Sequence, residues 1–217
     1  MFRKVNEMAN GKRDFNKEAA TWDEPARMKM ADNIGNAILR EIRVTRETDV
    51  LDFGCGTGLL TLKLQPLARS VIGVDSSPGM IEVINGKIKD RKLANVTTAL
   101  INLDKGDALE GSYRLITSSM TLHHIKDIRT LLDQFFKITA PGGYLCIADL
   151  DLDDGQFHGG NNDGVFHDGF DRAALRKSFA DAGYADVRDM TATTVARPVQ
   201  SGARTFTIFL LIGRRPL

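Results

Sequence analysis

Cysteine is scarce in this chain of 217 residues: only Cys55 and Cys146 occur, with no C-x-x-C pair and no Cys/His spacing of a metal site. That argues against a disulfide scaffold or a structural zinc, and two reduced, buried thiols are expected. An excess of one charge is lacking as well. Twenty-nine Lys and Arg against 28 Asp and Glu leave a formal charge of +1. No basic field is available to hold a phosphate backbone, so nucleic acid is not an expected partner. Long apolar runs are missing too. Ile208 to Ile212, the longest near the end, is far too short to span a bilayer. The first residues are charged and carry no apolar h-region, which argues against a secretory signal; a cytoplasmic protein with no membrane partner is expected. Neither repeats nor low-complexity tracts are seen.

What is there suits one globular domain, with 42% of residues apolar. Residues 1 to about 30 read as polar and irregular, an arm that would cap a site on a domain spanning 31–217. Ala31, Ile34, Ala37, Ile38 and Ile42 then fall at helical spacing. Strands are expected over 49–53, 71–75, 96–101, 113–119 and 144–148, with helices between them. Pro66 should end the helix marked by Leu59, Leu62 and Leu64. Ser77-Pro78 reads as an N-cap with proline at the first helical position, and Asp127 and Asp171 should start two later helices. Pro141-Gly142-Gly143 breaks the helix before the fifth strand. Two late strands, about 185–195 and 204–212, lack a helix between them and are joined by a loop holding Pro198 and Gly202. The fold class follows: α/β, a Rossmann-like, mainly parallel sheet with helices on both faces and an antiparallel C-terminal hairpin.

The most informative stretch is Val50-Leu51-Asp52-Phe53-Gly54-Cys55-Gly56-Thr57-Gly58-Leu59-Leu60. An apolar strand runs into three alternate glycines and then a helix. Seventeen residues after Gly58 a second apolar run ends on Asp75. Strand, glycine turn, helix, strand and terminal acid make half of a nucleotide site, since glycine lets backbone approach a ligand and the acid can bond ribose hydroxyls. A dinucleotide fingerprint is G-x-G-x-x-G, whereas here the third glycine arrives one residue early. Asp52, inside the turn, would oppose a pyrophosphate but suits a ligand with a positive amine, such as S-adenosylmethionine.

At these residues the chain resembles the class I S-adenosylmethionine-dependent methyltransferases, most closely the small-molecule, ubiquinone-biosynthesis-type subgroup (methyltransferase domain 11-like). The resemblance rests on Asp52 to Gly58, Gly73 to Met80, Ser118 to Ile125 and Ala140 to Leu145 in order, with Phe15 to Asp23 resembling the family's preceding arm. It implies that Gly54, Gly56 and Gly58 lie against the methionine part and Asp52 holds the amine. Asp75 would take both ribose hydroxyls. Asp104 would accept from the adenine amine beside the Leu103 backbone, with Asp107 as the alternative. Cys55, Ser76, Met80 and Ser119 complete the expected cofactor set, although Met80 reads equally as core. Relatives usually carry an aspartate where this chain has Arg114, a position read as structural.

The resemblance implies methyl transfer to a small-molecule acceptor, with S-adenosylhomocysteine as product. His123 and His124 are the candidate catalytic residues, one of them expected to be merely packed. Trp22, His158, Phe166 and His167 are candidates for contact with the acceptor, on the arm and on an insert over 153–170 expected to roof the site. No metal is expected, because the histidines and aspartates of that insert meet no ligand spacing and read as a solvated loop with aromatic anchors. The alternatives are a non-catalytic binder of S-adenosylmethionine or S-adenosylhomocysteine on the same fold and a nicotinamide dehydrogenase. Monomer and homodimer both remain open.

Overall fold

A computed structural model describes residues 14–159, 162–199 and 202–217. The first part of the expected arm, residues 1–13, lies outside them. Seven strands form one sheet: β1 (Asp49–Phe53), β2 (Ser70–Asp75), β3 (Val96–Leu100), β4 (Tyr113–Ser119), β5 (Thr139–Leu150), β6 (Ala185–Val199) and β7 (Gly202–Arg214), in the order β3-β2-β1-β4-β5-β7-β6. The first five are parallel, and β7 runs antiparallel to both β5 and β6. Chain order reverses on either side of β1, and the crevice at that switch point, beyond the strands' carboxyl ends, is where open α/β sheets take ligands.

Helices cover both faces. On one side α2 (Pro25–Glu41) and α3 (Leu59–Leu64) bury Ile34, Ile38, Leu60 and Leu64 against Val50, Leu115 and Cys146. On the other, α5 (Ile128–Ile138) and α6 (Arg172–Asp181) bury Leu132, Phe135, Leu175 and Phe179 against Leu51, Ile116 and Phe209. The caps are local: Ser77, Asp127 and Asp171 accept from the backbone N–H groups of Met80, Thr130 and Ala174 at the starts of α4 (Pro78–Asp90), α5 and α6. Both cysteines are buried and unbridged. Burial pushes the Cys55 thiol well above its usual range and Cys146 up to about 12, so neither is a reactive thiolate at neutral pH.

Three expectations need correction. The segment before Met30 is not irregular: a short helix α1 (Phe15–Glu18) and a 3-10 turn (Ala19–Thr21) lead into α2, whose first residue is Pro25. Proline at that position needs no N–H, and the apolar spacing begins only in the next turn. Second, Pro141-Gly142-Gly143 lies inside β5, which starts at Thr139 with a register shift opposite Tyr113 and Leu115. A Cβ on Gly143 would stand 2.8 Å from the Ala140 carbonyl oxygen and 2.9 Å from that of Arg114, so glycine permits the bulged strand to pass there. Third, Pro198 and Gly202 are paired strand residues, opposite Ala203 and Val199. β6 is an edge strand, where a missing N–H costs no ladder bond. β7 pairs with β5 only from Ile208 onward, so the outer part of this hairpin extends past the sheet toward the crevice.

Candidate functional site

The turn between β1 and α3 opens on the crevice. Gly54, Gly56 and Gly58 all have positive φ, +68°, +52° and +87°, but for different reasons. A Cβ on Gly54 would collide with Thr121, 2.2 Å from its Oγ1. One on Gly58 would stand 2.6 Å from Ile84 Cδ1. At Gly56 nothing is nearer than Met80 Sδ and Trp22 Nε1, both at 4.0 Å. Gly56 is therefore the open cradle, whereas Gly58 does not line the cavity and serves helix packing. The shared role expected of the three glycines separates because only tertiary neighbours distinguish them. Gly58→Ala should lose about 2–4 kcal/mol of stability through overpacking and left-handed backbone. Gly56→Ala should lose about 1 kcal/mol of stability while filling the cradle and weakening cofactor binding. Urea unfolding and calorimetry on both variants check that contrast.

Two carboxylates sit beneath the cradle. Asp75 Oδ2 accepts the Gly56 N–H at 2.8 Å and Oδ1 accepts the Ser77 N–H at 2.9 Å. Burial raises its pKa, partly offset by those amides. Asp52 is buried at 1% exposure, accepting Thr61 Oγ1–H at 2.6 Å and Thr117 Oγ1–H at 2.9 Å. Burial pushes it up to about 6 despite both hydroxyls. Asp104 stands exposed in a 3-10 turn beside Leu103, and both line the cavity, as do Cys55, Ser76, Met80 and Ser119. Asp107 does not; its carboxylate accepts the Asn102 N–H at 2.8 Å and closes that turn. Arg114 is exposed on β4, away from the cavity.

The arm closes one side. Asn16 Oδ1 accepts from Ser77 Oγ at 2.8 Å and from the Gly79 N–H at 2.9 Å, fixing α1 on the first turn of α4. Asp23 accepts from Thr57 Oγ1 and from Lys87 Nζ, and Lys87 also donates to the Thr57 carbonyl at 2.7 Å. Trp22 both lines the cavity and belongs to this clasp, with Phe15 edge-on at 5.8 Å and the Arg27 guanidinium 4.2 Å above its ring. Sequence reading missed Asn16, Asp23, Arg27 and Lys87, which are single polar residues in no recognisable pattern.

Histidines and aromatics form the next part of the wall, joined to the arm where Phe15 meets the His124 ring edge-on at 5.2 Å. His123, 2% exposed, has Nδ1 2.7 Å from Asp149 Oδ1, and Asp149 is fully buried. Burial alone would raise the Asp149 pKa, but His123 and the amides of Leu150 and His123 bring it below the usual value. The carboxylate is thus ionised and acceptor-only, so it is Nδ1–H that donates to it. His124 Nδ1 meets the Gly164 carbonyl at 2.7 Å, and His158 packs 5.0 Å from the His123 ring. These three line the cavity with Phe157 and Arg197. Phe166 and His167, expected at the acceptor site, do not. Phe166 is 52% exposed, and the His167 ring donates through Nε2 to the Ile125 carbonyl at 2.9 Å. Their amides grip the His123 carbonyl, at 2.9 and 3.3 Å, so they anchor the insert rather than face its pocket. Asp149 was missed. Its one signal was an acid closing the apolar run Leu145-Cys146-Ile147-Ala148. Among the described residues no group of three or more His, Cys, Asp or Glu could hold a metal ion, and no helix is long and apolar enough to cross a membrane.

The cavity, partly open to solvent, measures about 240 Å³. Comparison with known proteins agrees with this geometry. The family described as "Methyltransferase domain" matches residues 11–191. An uncharacterized methyltransferase of Schizosaccharomyces pombe is 36% identical over 118 residues, 51% of this chain and 41% of that protein. The malonyl-[acyl-carrier protein] O-methyltransferase of Priestia megaterium is 30% identical over 142 residues, 63% of this chain and 50% of that protein. The matches thus span half or less of these curated relatives' length. Among solved structures, an S-adenosylmethionine-dependent methyltransferase from Aquifex aeolicus superposes with a TM-score of 0.67 at 19% identity, covering 92% of this chain and 97% of that one.

Proposed function

Because this chain belongs to the class I S-adenosylmethionine-dependent methyltransferases, we propose that it methylates a small-molecule acceptor by in-line displacement, with His123 as general base. The observation that carries this reading is one cavity lined both by buried carboxylates beneath an open glycine cradle and by a histidine paired with a buried aspartate. The residues present fit the cofactor: Gly56 leaves the room a Cβ would fill, and Asp52 supplies buried negative charge for an ammonium. Asp75 takes the ribose hydroxyls with its remaining lone pairs, Asp104 the adenine amine, and Arg27 the methionine carboxylate.

Bound there, S-adenosylmethionine supplies a sulfonium methyl whose bond to sulfur breaks with its electron pair going to sulfur. The protein's part is alignment, which can contribute roughly 7–11 kcal/mol of the barrier. His123 Nε2 takes the proton of the attacking acceptor group, worth about 10²–10⁴-fold. Asp149 is a positioning residue that fixes the tautomer and steadies the imidazolium. The arm and Phe157–His158 exclude water from the reacting pair.

Binding should depend on pH with a definite sign. An ammonium beside Asp52 favours the ionised carboxylate, so complexation lowers its pKa from about 6 and releases a proton. Affinity is then flat above that value and falls as pH drops through it. Burial raises Asp75 as well, which acts in the same direction. Calorimetry should find the cofactor about tenfold weaker at pH 5 than at pH 7.5, with proton release on binding at the lower pH. Incubation with labelled S-adenosylmethionine and a metabolite mixture tests the activity. Tight binding without transfer across a broad panel would make the protein a binder, and tight NAD binding with S-adenosylmethionine ignored would overturn the assignment.

A further inference from the structure

We propose that Asp23 and Lys87 are positioning residues of the cofactor site, and that with Asn16 they make the arm a strap which a bound cofactor holds shut. The inference rests on the methyltransferase reading above and concerns how that same site keeps its ligand. Neither Asp23 nor Lys87 lines the cavity, whereas Phe15 and Trp22 of the arm do. The arm is tied down at two places, each one residue behind a group that the cofactor would meet. At the first, Asn16 Oδ1 accepts from Ser77 Oγ and from the Gly79 N–H. Ser77 is also the residue whose N–H donates to Asp75, so the arm is bonded to a support of the ribose carboxylate. Gly79 permits the crossing, since a Cβ there would stand 2.8 Å from the Asn16 carbonyl oxygen.

At the second, Thr57 Oγ1 and Lys87 Nζ both donate to the Asp23 carboxylate, and Lys87 donates as well to the Thr57 carbonyl. These bonds close a ring among the arm, the glycine turn and α4. Thr57 is 1% exposed and directly follows Gly56. The Lys87 and Asp23 side chains are 20% and 32% exposed, so salt screens this pair less than one standing fully in solvent. Asp75 holds the Gly56 N–H from one side, and Lys87 and Asp23 hold Thr57 from the other. The backbone of the cradle is thus fixed partly by groups outside the cavity. A cofactor filling the cavity meets Phe15 and Trp22 only while the arm is in place, so it favours the strapped state. By linkage, a strap that is tightened by the cofactor must tighten the cofactor in return.

The test uses the whole chain and S-adenosylhomocysteine. Surface plasmon resonance reads association and dissociation separately, and hydrogen exchange reads the arm amides from Asn16 to Asp23. In the parent, saturating ligand should slow exchange of those amides about tenfold or more. Lys87→Met removes two charge-assisted hydrogen bonds but leaves Thr57 bonded to Asp23, and should speed dissociation about tenfold. Lys87→Arg should restore part of the loss. Asn16→Ala and Gly79→Ala act at the other anchor and should also speed dissociation, the second without removing a polar group. In every variant that releases ligand faster, the slowing of arm exchange by ligand should shrink, which a local defect in α4 would not produce. Asn16 is exposed, so its variant keeps the core and decides the matter if Lys87→Met does not fold. Dissociation within about twofold of the parent in Asn16→Ala or in folded Lys87→Met would overturn the proposal and leave the methyltransferase reading intact. Arm exchange in the parent that ignores the ligand would do the same. Failure of S-adenosylhomocysteine to bind the parent would remove that reading, and this inference with it.

Discussion

His123→Asn is expected to lower kcat by about 10²–10⁴-fold while the cofactor dissociation constant stays within about threefold. Asparagine is the chosen replacement because Asp149 is fully buried and ionised beside His123. Alanine would leave that charge uncompensated, at a cost of about 3–5 kcal/mol, and confuse lost stability with lost catalysis. An asparagine amide can still donate to Asp149 but cannot accept a proton. Asp149→Asn separates positioning from chemistry. It keeps shape but can stabilise the wrong tautomer, so kcat should fall while cofactor affinity is kept. Rapid-quench single turnovers read the chemical step directly. A single-turnover rate within about threefold of the parent in His123→Asn would end the role of His123 as base and leave alignment as the main source of catalysis.

Asp75→Ala should weaken cofactor binding about 10²–10³-fold, the loss of two charge-assisted hydrogen bonds. The structure adds a second reason. The same carboxylate accepts the Gly56 and Ser77 N–H groups, so the variant also loosens the cradle. Stability should change little by comparison, because Asp75 sits at a strand end and its burial penalises the charge that the variant removes. Asp107→Ala is the contrasting comparison: its carboxylate does not itself line the cavity but closes the Asn102 turn that carries Leu103 and Asp104, and cofactor affinity should fall far less than in Asp75→Ala. Equal affinities for the parent and Asp75→Ala, by calorimetry, would remove Asp75 from the ribose.

The legible part of the site was the part encoded by short-range pattern. Val50 to Phe53 and Val71 to Asp75 are buried parallel strands that read as apolar runs, and Ser77-Pro78 announces its helix in two residues. Gly56 was visible as a glycine, but only Ile84 packed on Gly58 and Thr121 packed on Gly54 show that it alone of the three has room for a side chain. The histidine doublet was visible too. Which member pairs with a buried carboxylate depended on Asp149, 26 positions away across the β4–β5 crossover. Asp23 and Lys87 lie 64 positions apart and share no motif, so nothing local could join them. Phe166 and His167 looked like pocket residues because aromatics in a polar insert usually have something to cover. Instead their backbone was spent on holding His123, which turned the side chains elsewhere.

By itself the sequence determined the alternating α/β architecture, because apolar period and capping residues act over a few positions, and the motifs between Asp52 and Leu145 carried the resemblance that pointed to the methyltransferase family and its cofactor. Only the tertiary structure decided which histidine acquired a buried carboxylate partner, that the arm is clasped over the cradle by Asn16 and Asp23, and that Arg197 rather than Phe166 or His167 lines the cavity. Those outcomes depend on side chains brought together by strand order and by the length of the β6–β7 hairpin, and contacts of that kind leave no periodic trace along the chain.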